Sequence, residues 1–137
     1  MARRSRSREI ALQALYQRDQ NKTMTEQDAI SFLSRRLHDA ELLELGKSLY
    51  LGTVQHLQEI DSQLTQVADN WSVERMAIVD RNVLRLGIYE LNYVPGTPYK
   101  VVLDEAIELA KRYGSEESPA FVNGILDKIA SVENVHS

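Results

Sequence analysis

Residues 76–91 read MAIVDRNVLRLGIYEL, and their apolar side chains recur every three or four positions. The resulting stripe consists of Met76, Val79, Val83 and Leu86. This spacing matches the 3.6-residue turn of an α-helix and not the two-residue alternation of a strand. Ser72 is a suitable N-cap for such a segment. We therefore predict a helix that begins near Ser72 and ends near Leu91.

The helical period continues after this segment. Residues 94–98 contain two prolines and a glycine, which is the strongest loop signal in the chain. A helix is predicted from Pro98 to Tyr113, with Gly114 as the residue that ends it. A final helix is expected to begin at Ser118 and Pro119. Its apolar face consists of Val122, Ile125, Leu126 and Ile129.

The segments before residue 72 are helical by the same test. One helix is predicted from Glu9 to about Gln20, and a second begins after Thr25, which is a suitable N-cap. Residues 41–68 form one long helical segment, in which Gly46 and Gly52 are expected to permit close helix contact or a bend. Strand alternation is weak throughout. The sequence therefore predicts an all-α protein of six or seven helices, with residues 1–137 in a single domain.

The charge of the chain is distributed unevenly. The net charge of the 137 residues is −4, yet the first eight residues carry +4, which leaves −8 on the remainder. A basic segment on an acidic body is typical of an electrostatic binding arm. We predict that residues 1–8 form a flexible, arginine-rich arm that binds nucleic acid, although a solvated tail has the same composition. The cations of this arm are Arg3, Arg4, Arg6 and Arg8.

Composition and motifs give no support for several classes of function. The chain has no cysteine, which excludes disulfides and cysteine-based zinc sites and agrees with a cytoplasmic location. No apolar run is long enough for a signal peptide or a membrane span. The three histidines are scattered, and no glycine-rich phosphate motif is present. We predict a protein that is not an enzyme and needs no metal or cofactor. We also predict that it does not associate with a membrane and has no small-molecule substrate.

Four further side chains are candidates for contact with RNA. Arg81 and Arg85 are four positions apart, so a helix would present both cations on one exposed face. Phe121 lies at the edge of the last apolar stripe, where a half-exposed ring is free to stack on a base. Tyr16 occupies a similar place on the first helix. Each has a structural alternative: the arginines would be an ordinary solvated face, and the rings would widen the core.

Three blocks of sequence, taken together and in order, resemble the NusB family. The first is Arg3–Arg6 followed by ALQALY at residues 11–16. The second is DRNVLRL at residues 80–86 with YEL at residues 89–91. The third consists of PYKV at residues 98–101, EAIELAK at residues 105–111 and FVNGIL at residues 121–126. Residues 22–70 share only helical character with the family.

The resemblance implies both a fold and a function. NusB-like proteins consist of two small helical bundles packed together, and they bind the boxA element of nascent RNA. They do so with a ribosomal protein, called NusE in this role, and join RNA polymerase in an antitermination complex on ribosomal RNA operons. The implied RNA surface brings together Arg3, Arg4, Arg6, Arg8, Tyr16, Arg85 and Phe121. The implied NusE surface includes Glu74, Asp80 and Tyr16.

Two other functions stay open at this point. A related helical domain occurs at the N-terminus of some ribosomal RNA cytosine methyltransferases, and that alternative requires a catalytic domain beyond Ser137. A helical scaffold that binds only protein is the second alternative. Loss of the arginine arm would not affect such a scaffold.

Overall fold

A computed structural model describes residues 3–68 and 72–133. Within these residues the chain forms seven α-helices, one 3-10 turn and no strand, which confirms the all-α class. The chain divides into two compact units, Met1–Gln55 and His56–Ser137. That the two units make a single domain stays a prediction.

The first unit consists of three helices: α1 (Ser5–Gln20), α2 (Glu26–Arg36) and α3 (Ala40–Gln55). The predicted cap of α2 is confirmed. The Thr25 hydroxyl accepts a hydrogen bond from the Asp28 backbone N–H at 3.0 Å, and the Asp28 carboxylate accepts one from the Thr25 N–H at 3.0 Å. This reciprocal pair satisfies two of the N–H groups that a helix start leaves without partners.

Gly46 explains how closely α3 approaches its neighbours. A Cβ atom at this position would lie 2.7 Å from a methyl carbon of Leu37 and 3.7 Å from the backbone oxygen of Ser7. With any larger residue at position 46, the Leu37 side chain would therefore have to shift. The prediction that Gly46 permits close contact is confirmed. The long segment predicted for residues 41–68 is wrong in one respect, because it breaks at His56 into two helices.

The second unit contains α4 (Leu57–Val67), the 3-10 turn (Val73–Arg75), α5 (Ile78–Tyr93), α6 (Tyr99–Tyr113) and α7 (Ser118–Glu133). Helix α5 is central and contacts α4, α6 and α7. All nine residues from Asn82 to Glu90 are buried.

The predicted start near Ser72 is wrong: Ser72 precedes the 3-10 turn, makes no capping hydrogen bond, and α5 begins only at Ile78. Gly96, with φ at +96°, confirms the predicted loop before α6.

Because α5 is central, Arg85 is buried, and the prediction that it lies on an exposed face is wrong. Its guanidinium donates from Nε and Nη2 to the two carboxylate oxygens of Asp61 on α4, each at 2.8 Å. A third hydrogen bond runs from Nη1 to Oδ1 of Asn82 at 3.2 Å. The fork of the guanidinium thus joins α4 to α5 with a two-pronged, charge-assisted contact.

This geometry predicts that Arg85→Met lowers the free energy of unfolding by on the order of 3 kcal/mol, because Asp61 keeps its charge without its partner. Urea unfolding followed by circular dichroism measures the loss. The control is Arg75→Met, an exposed arginine of the 3-10 turn, for which a change within about 0.5 kcal/mol is expected. The double variant Asp61→Leu with Arg85→Met should regain part of the loss. Equal stability of Arg85→Met and the control would contradict a structural role for Arg85.

Candidate nucleic-acid interface

The arginine-rich segment begins as part of α1 and not as a separate arm. Residues 1 and 2 lie outside the described residues, Arg3 and Arg4 form a turn, and the helix starts at Ser5. The flexible arm predicted for residues 1–8 is therefore wrong from Ser5 onward. Within this first turn, Ser7 is fully buried, and its Oγ donates to the backbone oxygen of Leu42 at 2.7 Å.

Burial sorts the four arginines of this segment into two groups. Arg8 is only 5% exposed, so the prediction of an accessible cation at this position is wrong. Arg3, Arg4 and Arg6 are exposed, and together they form what we call the arginine-rich surface. The alternation of serine and arginine at residues 5–8 does not distinguish Arg6 from Arg8, so the burial of Arg8 is not predictable from it.

Two members of the arginine-rich surface already have carboxylate partners. Arg3 forms an ion pair with Asp39, and its Nη1 lies 3.7 Å from Oε1 of Glu41. Arg6 donates from Nη1 to Oε1 of Glu9, three positions further along α1, at 2.7 Å. These acids are absent from the set of residues predicted from the sequence. Glu9 was detectable from its position on the same helix, whereas nothing in the sequence associates Arg3 with Asp39.

Tyr16 extends the surface along α1. Its side chain is 40% exposed, which agrees with a ring available for stacking. It follows Glu9 by seven positions, about two helical turns, so the two residues share a face of α1. Tyr16 is a candidate for both the RNA surface and the partner surface, and the geometry of the first unit is compatible with either.

The remaining candidates all belong to the second unit. Phe121 is half-buried near the start of α7, as predicted from its position at the edge of the apolar stripe. Arg81 is half-buried near the start of α5, and Glu74 is exposed in the 3-10 turn. Asp80 is half-buried in the first turn of α5, where a carboxylate interacts favourably with the positive end of the helix. Whether these residues share one surface with the arginines of the first unit stays a prediction.

In the part of the chain that the structure describes, no feature indicates a metal site or a membrane-spanning helix. No three or more His, Cys, Asp or Glu side chains in these residues are grouped to hold a metal ion. Among the helices that the structure describes, none combines the length and the hydrophobicity needed to cross a bilayer.

Comparison with known proteins identifies close relatives over nearly the whole chain. The model of the NusB family matches residues 5–131. A transcription antitermination protein NusB from Anaeromyxobacter dehalogenans (strain 2CP-1) is 48% identical over 132 residues, with 95% of this chain and 92% of the relative covered. The structure of T. maritima NusB is similar with a TM-score of 0.88 and 40% identity, covering 95% of this chain and 92% of that one.

A second solved structure matches nearly as well. It is a chain from the crystal structure of the antitermination factors NusB and NusE in complex with double-stranded RNA. The TM-score is 0.86 at 28% identity, and the match covers 96% of this chain and 99% of that chain. The match to the family model covers most of both helical units and begins at Ser5. This chain therefore belongs to the NusB family, whose named members are transcription antitermination factors and not enzymes.

Proposed function

We propose that this chain binds boxA-type single-stranded RNA together with a ribosomal protein that acts as NusE. In this proposal the pair joins the RNA polymerase antitermination complex on ribosomal RNA operons in the cytoplasm. The observation that supports it most directly is the match to a chain solved with NusE and RNA over nearly its whole length. That structure holds double-stranded RNA, so the preference for single strands rests on the resemblance and requires its own test.

The chemistry of the arginine-rich surface suits RNA phosphates. Guanidinium groups offer forked donors that match phosphate oxygens and planes that stack on unpaired bases. Arg3, Arg4 and Arg6 are exposed at one end of α1. The other residues carry a net negative charge, which repels a polyanion elsewhere and concentrates its binding at this surface.

The other proposed RNA contacts have different roles. The exposed ring of Tyr16 and the half-buried ring of Phe121 would stack on bases, and Arg81 would add a cation in the second unit. Arg8 and Arg85 are buried, so the proposed surface excludes them as direct contacts. Arg85 instead supports the second unit through its pair with Asp61.

The proposed surface for the ribosomal partner is acidic. Glu74 is exposed, and Asp80 lies six positions later in the first turn of α5. Ribosomal proteins that bind RNA are expected to be basic, so complementary charge would steer the encounter. Tyr16 is the third residue that the resemblance assigns to the partner, and it is exposed on α1.

The first test concerns the arginine-rich surface. Titration of the chain with single-stranded boxA-type RNA, with and without the ribosomal partner, should show binding that weakens as salt rises. The test variant is the triple substitution Arg3→Ala, Arg4→Ala, Arg6→Ala. The slope of log K against log salt changes by about 0.7 for each phosphate that an arginine no longer neutralises. In this variant the slope should therefore flatten by up to about 2 units.

The matched control for this test removes three other exposed cations, in the variant Lys22→Ala, Lys100→Ala, Lys111→Ala. It changes the net charge equally and should retain most of the salt slope. An equal effect of both triple variants would show that only net charge matters. A duplex of the same RNA sequence, titrated in parallel, tests the preference for single strands.

Phe121→Ala should weaken RNA binding without changing its salt dependence. The ring carries no charge, and removal of a base-stacking surface costs about 1–3 kcal/mol of binding free energy. Titrations at two salt concentrations should therefore give parallel reductions of affinity. Tyr113→Ala removes an exposed ring at the end of α6 and serves as the control. If Phe121→Ala melts much earlier and its folded fraction binds RNA normally, the ring belongs to the core and the assignment is wrong.

Charge reversal at Glu74 should act on the ribosomal partner more than on RNA. In Glu74→Lys the association rate with a basic partner should fall, and the deficit should shrink as salt screens the charge. Asp80→Lys is expected to act in the same direction, with a further cost because it puts a cation at a helix N-terminus. Surface plasmon resonance at several salt concentrations provides the rates. Glu108→Lys, on the exposed part of α6, is the control, and an equal effect there would contradict the proposed interface.

A further inference from the structure

The segment of residues 37–42, which leads from the end of α2 into the first turn of α3, lies directly beside the start of α1. Ser7 Oγ donates to the backbone oxygen of Leu42, and Arg3 forms its ion pair with Asp39. Leu37 in the same segment is buried against Gly46. The surroundings of the arginine-rich surface are therefore set by residues 37–42 as well as by α1 itself.

Asp39 makes two different interactions with its two carboxylate oxygens. Oδ1 accepts hydrogen bonds from the backbone N–H groups of Glu41 at 3.0 Å and Leu42 at 3.1 Å, which is the arrangement of a helix N-cap. Oδ2 accepts a hydrogen bond from Nη2 of Arg3. The pKa of Asp39 is lowered by the Leu42 hydrogen bond and further by Arg3, so the carboxylate is charged at neutral pH.

Arg3 faces more negative charge than it can neutralise. Its single positive charge is next to the carboxylates of Asp39 and Glu41, which together carry two negative charges. The three side chains are 56%, 42% and 75% exposed, so all of them are accessible to a ligand. A phosphate that approaches Arg3 therefore competes with these two carboxylates and is repelled by their negative charge.

Arg6 provides the contrast within the same surface. Its partner, the Glu9 side chain, is only 6% exposed, whereas Arg6 itself is 50% exposed. A single buried carboxylate holds one edge of this guanidinium and leaves the local charge balanced. Of these two arginines, Arg3 is the one that faces two exposed carboxylates.

We propose that Asp39 and Glu41 compete with RNA phosphate for Arg3 and so lower the RNA affinity of the arginine-rich surface. This inference rests on the proposed function and adds two affinity-determining residues to it. The ligand group concerned is the phosphate backbone of single-stranded RNA, so the effect is independent of base sequence.

The test variant is Asp39→Asn with Glu41→Gln in the full chain. Asparagine caps helices as well as aspartate does, so the start of α3 is retained while both negative charges are removed. Binding of single-stranded boxA-type RNA at low salt should tighten by roughly 1.5- to 5-fold, since exposed ion pairs of this kind are weak. The control Glu44→Gln with Glu108→Gln removes two other exposed carboxylates and should show a smaller gain. Thermal melting checks that each variant is folded.

The same pair of substitutions in an Arg3→Ala background separates the proposed mechanism from a general charge effect. If the carboxylates act through Arg3, the gain in affinity should disappear in this background. A gain that persists without Arg3, or that the control variant matches, would overturn the inference. Weaker binding by the test variant would also overturn it, because Asp39 would then position Arg3 for RNA.

Failure of this inference is distinguishable from failure of the proposed function. Wild-type chain that binds RNA, with no gain in the test variant, contradicts the competition alone. If no variant binds single-stranded RNA with or without the ribosomal partner, the proposed function itself is wrong and the inference falls with it.

Discussion

The hydrogen bond from Ser7 to the backbone of Leu42 is the constraint on which the candidate interface depends. It holds the first turn of α1 against α3, and it requires a small, polar side chain at a fully buried position. Because a helix turns by about 100° per residue, fixing Ser7 inward also fixes which neighbours face outward. Arg6 and Arg8 lie on opposite sides of Ser7 in the first turns of α1, and of the two Arg6 is exposed and Arg8 is buried.

Both units use arginine–carboxylate pairs, but the pairs differ in accessibility. The Arg85–Asp61 pair joins two helices of the second unit, and its guanidinium is 10% exposed. The pairs of Arg3 and Arg6 lie at the surface of the first unit, where solvent screens them and the arginines keep donors for a ligand. The same residue type thus stabilises the fold in one unit and is available for binding in the other. Burial alone distinguishes the two uses.

The sequence predicted most of the helices because periodicity and loop residues are local signals. The cap at Thr25, the close contact at Gly46 and the loop around Gly96 were all predicted correctly. The exposure of Arg85 was predicted wrongly because the sequence shows one apolar stripe, whereas α5 is surrounded by α4, α6 and α7. The partners of Arg85 and Arg3 lie 24 and 36 positions away, and no local pattern reports such pairs. The half-exposed state of Phe121 was predictable from its place at the edge of a stripe.

Asp39 contributes to the start of a helix and to the charge of the arginine-rich surface at the same time. One of its oxygens starts α3, and the other holds a cation of the arginine-rich surface. Replacement of Asp39 by alanine would change both the thermal stability of the fold and the charge of its surface. Asparagine is the substitution that separates the two, since it keeps the cap and removes the charge. Position 39 is therefore a place where surface charge can change while the architecture stays constant.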